Sequence, residues 1–122
     1  MRAKKIIRIQ IRSVDEALAD FVSTAESIKN GQKIQRETGV YFASLEAFRR
    51  AITPKRMQLL HTIREEKPSS LHELAKLLNR DIKNVSDDII FLEQIGLIER
   101  KRYDNKTAPR SAYDEMQVKI AI

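Results

Sequence analysis

The first thirty residues change from a two-residue repeat of apolar positions to a helical one. Lys5–Arg12 alternates polar and apolar side chains, as in a half-buried β-strand, with Ile7, Ile9 and Ile11 on one side. Ser13 and Glu16 then form the pattern of a helix capping box. Apolar residues follow at helical spacing over residues 14–28, and Asn30-Gly31 is a suitable helix end. The pattern predicts a strand and a long amphipathic helix.

The middle of the chain predicts a short strand at Val40–Phe42 and then a series of helices. A helix that begins at Ser44 carries its apolar face at Leu45, Phe48 and Ile52. Thr53-Pro54 starts the next helix, because threonine suits the N-cap and the missing N–H of proline costs nothing at the first helical position.

Two further helices follow, with a sharp turn between them. Ser70 caps a short helix over Leu71–Leu78, and Asn79 tolerates the left-handed backbone that the turn requires. A longer helix over Ile82–Ile95 ends at Gly96. Helices joined in this way are typical of a helix-turn-helix motif, in which the second helix enters the major groove of DNA.

The last part of the chain predicts a β-hairpin. Residues 97–103 and 113–122 have strand-like patterns, and the loop between them, 104–112, is polar. From Thr53 onward the order is therefore that of a winged helix-turn-helix. We expect a mainly α fold with a small β-hairpin (α+β), preceded by a strand-helix extension for dimerisation. The expected domains are 1–52 and 53–122.

Composition narrows the function. The net charge of +6 and the pI of about 9.7 favour an anionic partner, either nucleic acid or an acidic protein. The chain has no cysteine, which excludes disulfides, and no apolar run long enough for a membrane helix, so we expect a cytoplasmic location. His61 and His72 lack any partner pattern for metal or catalysis. We expect no enzyme activity, no cofactor and no metal.

Two stretches carry a family resemblance. The segment SSLHELAKLLNRDIKNVSDDIIFLEQIGLIERKR is similar to prokaryotic winged-helix transcriptional regulators of the MarR/ArsR type. The segment ITPKRMQLLHTIREEKPSSLHELAKLLNRD resembles a group of short predicted transcriptional regulators. The resemblance covers about Ile52–Arg102. It implies a homodimer on double-stranded DNA, with the helix 82–95 in the major groove and the hairpin 97–122 as a wing against the backbone or minor groove.

The helix 82–95 departs from the pattern of that type. Arg or Lys often follows its Val-Ser pair, whereas Asp87 and Asp88 follow here. Asn84 can pair with adenine, Lys83 with guanine or phosphate, and Asp87 with the amino group of cytosine. We expect Asp88 to pair internally with a basic residue such as Arg80. Cations of the wing and of the helix start at Lys55 are candidates for phosphate contacts. The full set of expected DNA contacts is Arg80, Lys83, Asn84, Ser86, Asp87, Arg100, Lys101, Arg102, Lys106, Arg110, Lys55 and Arg56.

The first fifty residues need a separate explanation, because a winged helix requires only about seventy. We expect Ile6–Ile28 and Leu45–Ile52 to form a homodimer interface. The edge of Lys5–Arg12 would pair either with its counterpart or with the chain's own final strand.

Three alternatives to a regulator stay open. They are a winged-helix protein-interaction module, the antitoxin of a toxin–antitoxin pair, and an RNA-binding protein, which is favoured less because a stacking sheet is missing. Cations that converge on one face would favour DNA, and scattered cations would favour the interaction module.

Overall fold

The computed structural model describes residues 3–29 and 39–122. Within these ranges the elements are, in chain order, β1 (Ile6–Ile11), α1 (Val14–Lys29), β2 (Gly39–Phe42), α2 (Leu45–Ala51), α3 (Pro54–Glu66), α4 (Leu71–Leu78), α5 (Ile82–Gln94), β3 (Ile98–Tyr103), β4 (Lys106–Ser111) and β5 (Glu115–Ile120). The chain divides into two compact units. We call Ile52–Glu115, with the segment up to Ile6, the winged-helix unit. We call Ile7–Ala51 with Met116–Ile122 the α/β unit.

Side chains cap the three helices of the winged-helix unit, two of them at Thr53 and Ser70 as the sequence predicts. Three side chains accept a hydrogen bond from a backbone N–H of the first turn at 2.9–3.2 Å: Thr53 for α3, Ser70 for α4 and Asp81 for α5. Each such cap contributes about 1 kcal/mol to stability. Asn79 ends α4 in the left-handed conformation, with φ of 52°. These local signals fix where α5 begins relative to α4.

The core of the winged-helix unit draws on every one of its helices and on the wing. The side chains without solvent exposure are Leu59, Ile63, Leu74, Val85, Ile89, Leu92 and Ala108. Truncating one of the larger members to alanine typically costs about 2–5 kcal/mol. The apolar stripe of α5 therefore holds that helix against α3 and α4, and its remaining surface is turned away from the core.

The wing is formed by β3 and β4, which pair antiparallel from Ile98↔Ser111 to Tyr103↔Lys106. The prediction that residues 113–122 form its second strand is wrong, and the wing ends at Ser111. Asp104 and Asn105 lie between the strands with φ of 40° and 69°, as in the tight two-residue turn that suits a hairpin. Pro109 lies inside β4, which is possible because a two-stranded sheet has only edges.

The α/β unit contains a three-stranded sheet in the order β2-β1-β5. β1 and β2 are parallel, from Arg8↔Gly39 to Ile11↔Phe42. The N–H groups of Asp114 and Ala121 donate to the carbonyls of Lys5 and Ile11, so β5 also runs parallel to β1. Of the two pairings expected for the edge of β1, the one with the final strand is therefore confirmed.

Gly39 permits the close pairing of β2 with β1. A Cβ atom at this position would lie 2.2 Å from the Arg8 carbonyl oxygen, far inside van der Waals contact. On the buried side of the sheet, Ile7, Ile9 and Ile11 have at most 4% of their surface exposed. The two-residue repeat of the sequence thus gives a strand with one buried face, as predicted.

Helix α1 leaves its apolar face uncovered. Val14, Leu18, Phe21 and Val22 are between 54% and 70% exposed. Ser13 accepts the N–H of Glu16 at 3.3 Å, which confirms the predicted helix start. The predicted end at Asn30-Gly31 lies outside the described residues. Exposed apolar patches of this kind mark interaction sites.

Candidate nucleic-acid interface

The first two turns of α5 present an exposed polar face. Lys83, Asn84 and Asp87 are exposed, and Ser86 is half-buried. The side chain of Asp81 accepts the N–H of Lys83 at 2.9 Å, which fixes the first turn. The N-terminal residues of the second helix are those that contact base edges in helix-turn-helix proteins. The side chains brought together here are a cation, an amide and a carboxylate.

Asp88 is held by two arginines from other parts of the winged-helix unit. Its carboxylate accepts from Arg56 Nε at 3.0 Å and from Arg80 Nη2 at 2.9 Å. The three side chains are only 14–20% exposed. The expected internal pair between Asp88 and Arg80 is confirmed. The negative charge of Asp88 is therefore compensated inside the fold and does not add to the outward face of α5.

Arg56 also packs on an aromatic ring. Its guanidinium carbon lies 4.1 Å from the centre of the Phe91 ring, in cation–π geometry. Through this contact and Asp88, Arg56 ties the first turn of α3 to the middle of α5. Both arginines were expected at the DNA surface from the sequence, and the structure places both in this cluster. A bridge between residues 56 and 88 leaves no signal in sequence spacing.

Cations of the wing lie on both of its faces. Residues that face each other across an antiparallel pair share one face, and successive residues alternate. Arg100 and Arg102 thus lie on one face, and Lys101, Lys106 and Arg110 on the other. Arg100 Nε lies 3.0 Å from a carboxylate oxygen of Glu93 at the end of α5, which joins the wing to that helix.

Comparison with known proteins gives a family and a fold. The model of the HVO_A0114 family matches residues 51–118, more than half of the chain. The chain belongs to the HVO_A0114 family. A comparison with curated proteins gave no match.

A solved structure has a similar fold to this HVO_A0114 protein. It is the crystal structure of "the predicted DNA-binding transcriptional regulator from E. coli", with 18% sequence identity and a TM-score of 0.50. The match covers 80% of this chain and 85% of that one. At this identity the likeness concerns the fold, which is a winged helix with mixed α and β elements.

Arg110 of the HVO_A0114 protein is turned toward the helices. Its Nη1 donates to the Pro68 carbonyl at 2.7 Å, and its guanidinium lies 5.9 Å from the centre of the Tyr103 ring. Lys55, Lys101, Arg102 and Lys106 are exposed. The wing therefore offers cations of two kinds, some held by the fold and some extended into solvent.

Glu73 at the start of α4 lies close to the wing cations. Hydrogen bonds from the Ser69 hydroxyl and N–H hold the pKa of its carboxyl below the ordinary value. Desolvation opposes this lowering of the pKa, and the positive charges of Lys106 and Arg110 each lower it by a smaller amount. The carboxylate is thus kept ionised at neutral pH and ties the α3–α4 loop to the helix start.

Ile90 of α5 is a surface feature that sequence reasoning missed. It is 43% exposed and lies seven residues after Lys83, on the same face of the helix as Lys83 and Asp87. The signal was present, because an isoleucine outside the buried stripe of an amphipathic helix has no core to enter. Such a side chain can contact a thymine methyl group or an apolar partner.

No group of three acidic or histidine side chains in ranges 3–29 and 39–122 is arranged to hold a metal ion. No helix there is long and apolar enough to cross a membrane. His61 and His72 are both exposed, as the sequence predicts.

Proposed function

We propose that this protein is a dimeric DNA-binding transcriptional regulator that places α5 in the major groove. The observation that carries the proposal is the exposed start of α5, with Lys83, Asn84 and Asp87 on its outward face and Asp88 neutralised behind them. The resemblance of residues 52–102 to MarR/ArsR-type regulators supports it. The fold of a solved protein described as a predicted DNA-binding transcriptional regulator supports it as well.

Base contacts are assigned by donor and acceptor chemistry. Asn84 would pair with an adenine edge, and Lys83 would donate to guanine or to a phosphate. Asp87 would accept from a cytosine amino group, and Ser86 can serve as donor or acceptor. An exposed carboxylate on this surface disfavours other bases, because it repels their acceptor atoms and the phosphates. We therefore infer that Asp87 narrows the choice of sequence.

The cations of the wing and of α3 that extend into solvent would contact the DNA phosphates. Arg102 and Lys106 lie near the wing tip, with Lys101 beside them, and Lys55 lies at the start of α3. Such contacts supply most of the nonspecific affinity. Arg100 is 32% exposed and is bound to Glu93, so it would orient the wing and reach DNA only by exchanging partners.

Salt dependence of binding to random-sequence duplex tests the proposal. A plot of log Kobs against log salt concentration has a negative slope, to which each phosphate contact contributes roughly 0.9 in magnitude. The double variant Arg102→Gln/Lys106→Gln should therefore make the slope shallower by about 1–2. Lys29→Gln/Lys76→Gln removes the same charge from α1 and α4 and serves as control. A wild-type protein that does not bind duplex even at low salt would refute DNA binding.

Dimerisation through α1 is the second part of the proposal. The apolar stripe of Val14, Leu18, Phe21 and Val22 is the surface that a second copy would cover. A two-fold interface pairs the same patch of both subunits, so the apolar stripe of one α1 would cover the stripe of the other. Two copies of α5 would then face half-sites about one helical turn of DNA apart.

A winged-helix protein-interaction module is the second candidate. The cations of the wing lie on both of its faces and Arg80 is bound internally, a scattered placement that favours this module. The exposed Ile90 beside Asp87 would also suit an apolar and acidic contact with a protein. The salt series separates the two, because only the DNA-binding regulator predicts affinity for duplex. If the wild-type protein does not bind duplex DNA, the protein-interaction module is favoured.

A further inference from the structure

A cleft in the winged-helix unit lies between the end of α3 and the base of the wing. It has a volume of about 330 Å³, within the range of small-molecule sites. The fully buried Ile63 forms part of its floor. The walls come from Lys67 just after α3, from Lys101 in β3, and from Lys5 just before β1. The cleft is separate from the outward face of α5.

The charge of the cleft is strongly positive. Five lysine and arginine side chains line it, against two carboxylates. Asp114 is already engaged, because it accepts the N–H of Lys5 at 2.8 Å and lies 3.6 Å from Arg64 Nη2. Glu99 lies directly across the wing from Arg110. The ammonium groups of Lys5, Lys67 and Lys101 therefore dominate the field in the cleft.

One feature opposes an anion here, and the fold compensates it. The C-terminal end of a helix carries partial negative charge on its free carbonyls. At the end of α3, the N–H of Lys67 donates to the Ile63 carbonyl at 3.0 Å. In the loop after α3, Arg110 Nη1 donates to the Pro68 carbonyl at 2.7 Å. These bonds leave the cations without a competing carbonyl acceptor at those positions.

We propose that this cleft binds a phosphate group, carried either by a free phosphorylated molecule or by the DNA backbone. Lysine ammonium groups bind phosphate as mobile point charges, which suits a group approached from three separate segments. Lys101 lies in β3 of the wing, on the same wing face as Lys106 and Arg110. A phosphate bound there would therefore be linked to DNA binding by the wing. The choice between the two sources rests on the proposed function, whereas binding of the phosphate group does not.

Inorganic pyrophosphate is the probe, titrated into the 122-residue chain by calorimetry at constant ionic strength. Wild type should bind it saturably. Lys67→Gln/Lys101→Gln should weaken binding by about tenfold or more, since each charge-assisted contact is worth roughly that factor. Lys29→Gln/Lys76→Gln, which removes the same charge away from the cleft, should leave binding unchanged. No saturable binding by wild type, or equal losses in both double variants, would overturn the proposal.

Duplex binding at matched ionic strength distinguishes the two sources. If the backbone supplies the phosphate, pyrophosphate should displace duplex from wild type. A second double variant, Lys5→Gln/Lys67→Gln, removes two cations of the cleft and leaves the wing cations in place, and it should then bind duplex more weakly. If a free molecule supplies it, the double variant should keep its duplex affinity while losing pyrophosphate. If the wild-type protein binds pyrophosphate but does not bind duplex DNA, the phosphate site is supported and the proposed DNA-binding function is refuted.

Discussion

Neighbouring aspartates of α5 have opposite environments. Asp87 is exposed, whereas the side chain of Asp88 is 14% exposed and accepts from Arg56 and Arg80. Breaking one partner of such a cluster is costly, because the other charges stay buried without compensation. The Nη1 atom of Arg80 already has no hydrogen-bond partner among the described residues, so the cluster has little capacity to reorganise. One carboxylate therefore belongs to the fold and the other to the surface.

Substitutions of these aspartates should separate stability from DNA binding. Asp88→Asn should lower the free energy of unfolding by about 1–3 kcal/mol, since two arginines lose a charged acceptor. Asp87→Asn should change it by less than about 0.5 kcal/mol. Urea denaturation measures both. The same Asp87→Asn protein should bind random duplex more tightly and discriminate less between sequences. Equal destabilisation by the two substitutions would contradict this assignment.

At the scale of elements, local signals predicted where helices begin and failed where strands pair. Thr53, Ser70 and Asp81 act on backbone groups within three residues, so spacing alone locates them. The wing was predicted with the wrong partner strand. Pro109 marked its region as loop, and the positive φ of Asp104 and Asn105 is not encoded by a glycine. Strand pairing depends on distant segments, which residue patterns do not specify.

Acid should weaken the start of α4 through Glu73. A carboxyl group whose pKa is lower in the folded chain stabilises the fold above the ordinary value of 4.5, and this contribution is lost as pH falls below it. Wild type should therefore have a higher Tm than Glu73→Gln at pH 6, and the difference should shrink below about pH 4.5. Ser69→Ala, which removes the main hydrogen bond, should show a smaller effect of the same sign. A difference that is constant from pH 6 to pH 3 would refute this role.

At the scale of the whole molecule, the sequence predicted the winged helix and the strands and helices of the N-terminal part, but not which of their faces the chain covers. The amphipathic pattern of α1 indicated an apolar face, and it could not say whether the same chain covers that face. The structure leaves it exposed, at 70% for Phe21. For the site, the exposed start of α5 followed from helix periodicity. The positions of Arg56 and Arg100 did not, because both depend on contacts between separate elements.

Charge on the apolar face of α1 should convert the dimer to monomers. Phe21→Glu buries a carboxylate in the expected interface, which is unfavourable by several kcal/mol without a partner. Sedimentation velocity should show a dimer for wild type and a monomer for the variant, with weaker binding to a two-half-site duplex. Ser23→Glu adds the same charge on the opposite side of α1 and should stay dimeric. A monomeric wild type at tens of micromolar would contradict dimerisation through α1.

β5 is the last strand to be synthesised, yet it is the neighbour of the first strand, β1, in the sheet. β5 pairs with β1, yet all of the winged-helix elements from α3 to β4 lie between them in the chain. A ribosome therefore releases every strand and helix of the winged helix before β5 emerges. Until then one edge of β1 exposes unpaired backbone groups, the kind of surface that recruits other nascent chains. β1 is thus made early, and its second edge is paired only when the last strand of the chain has emerged.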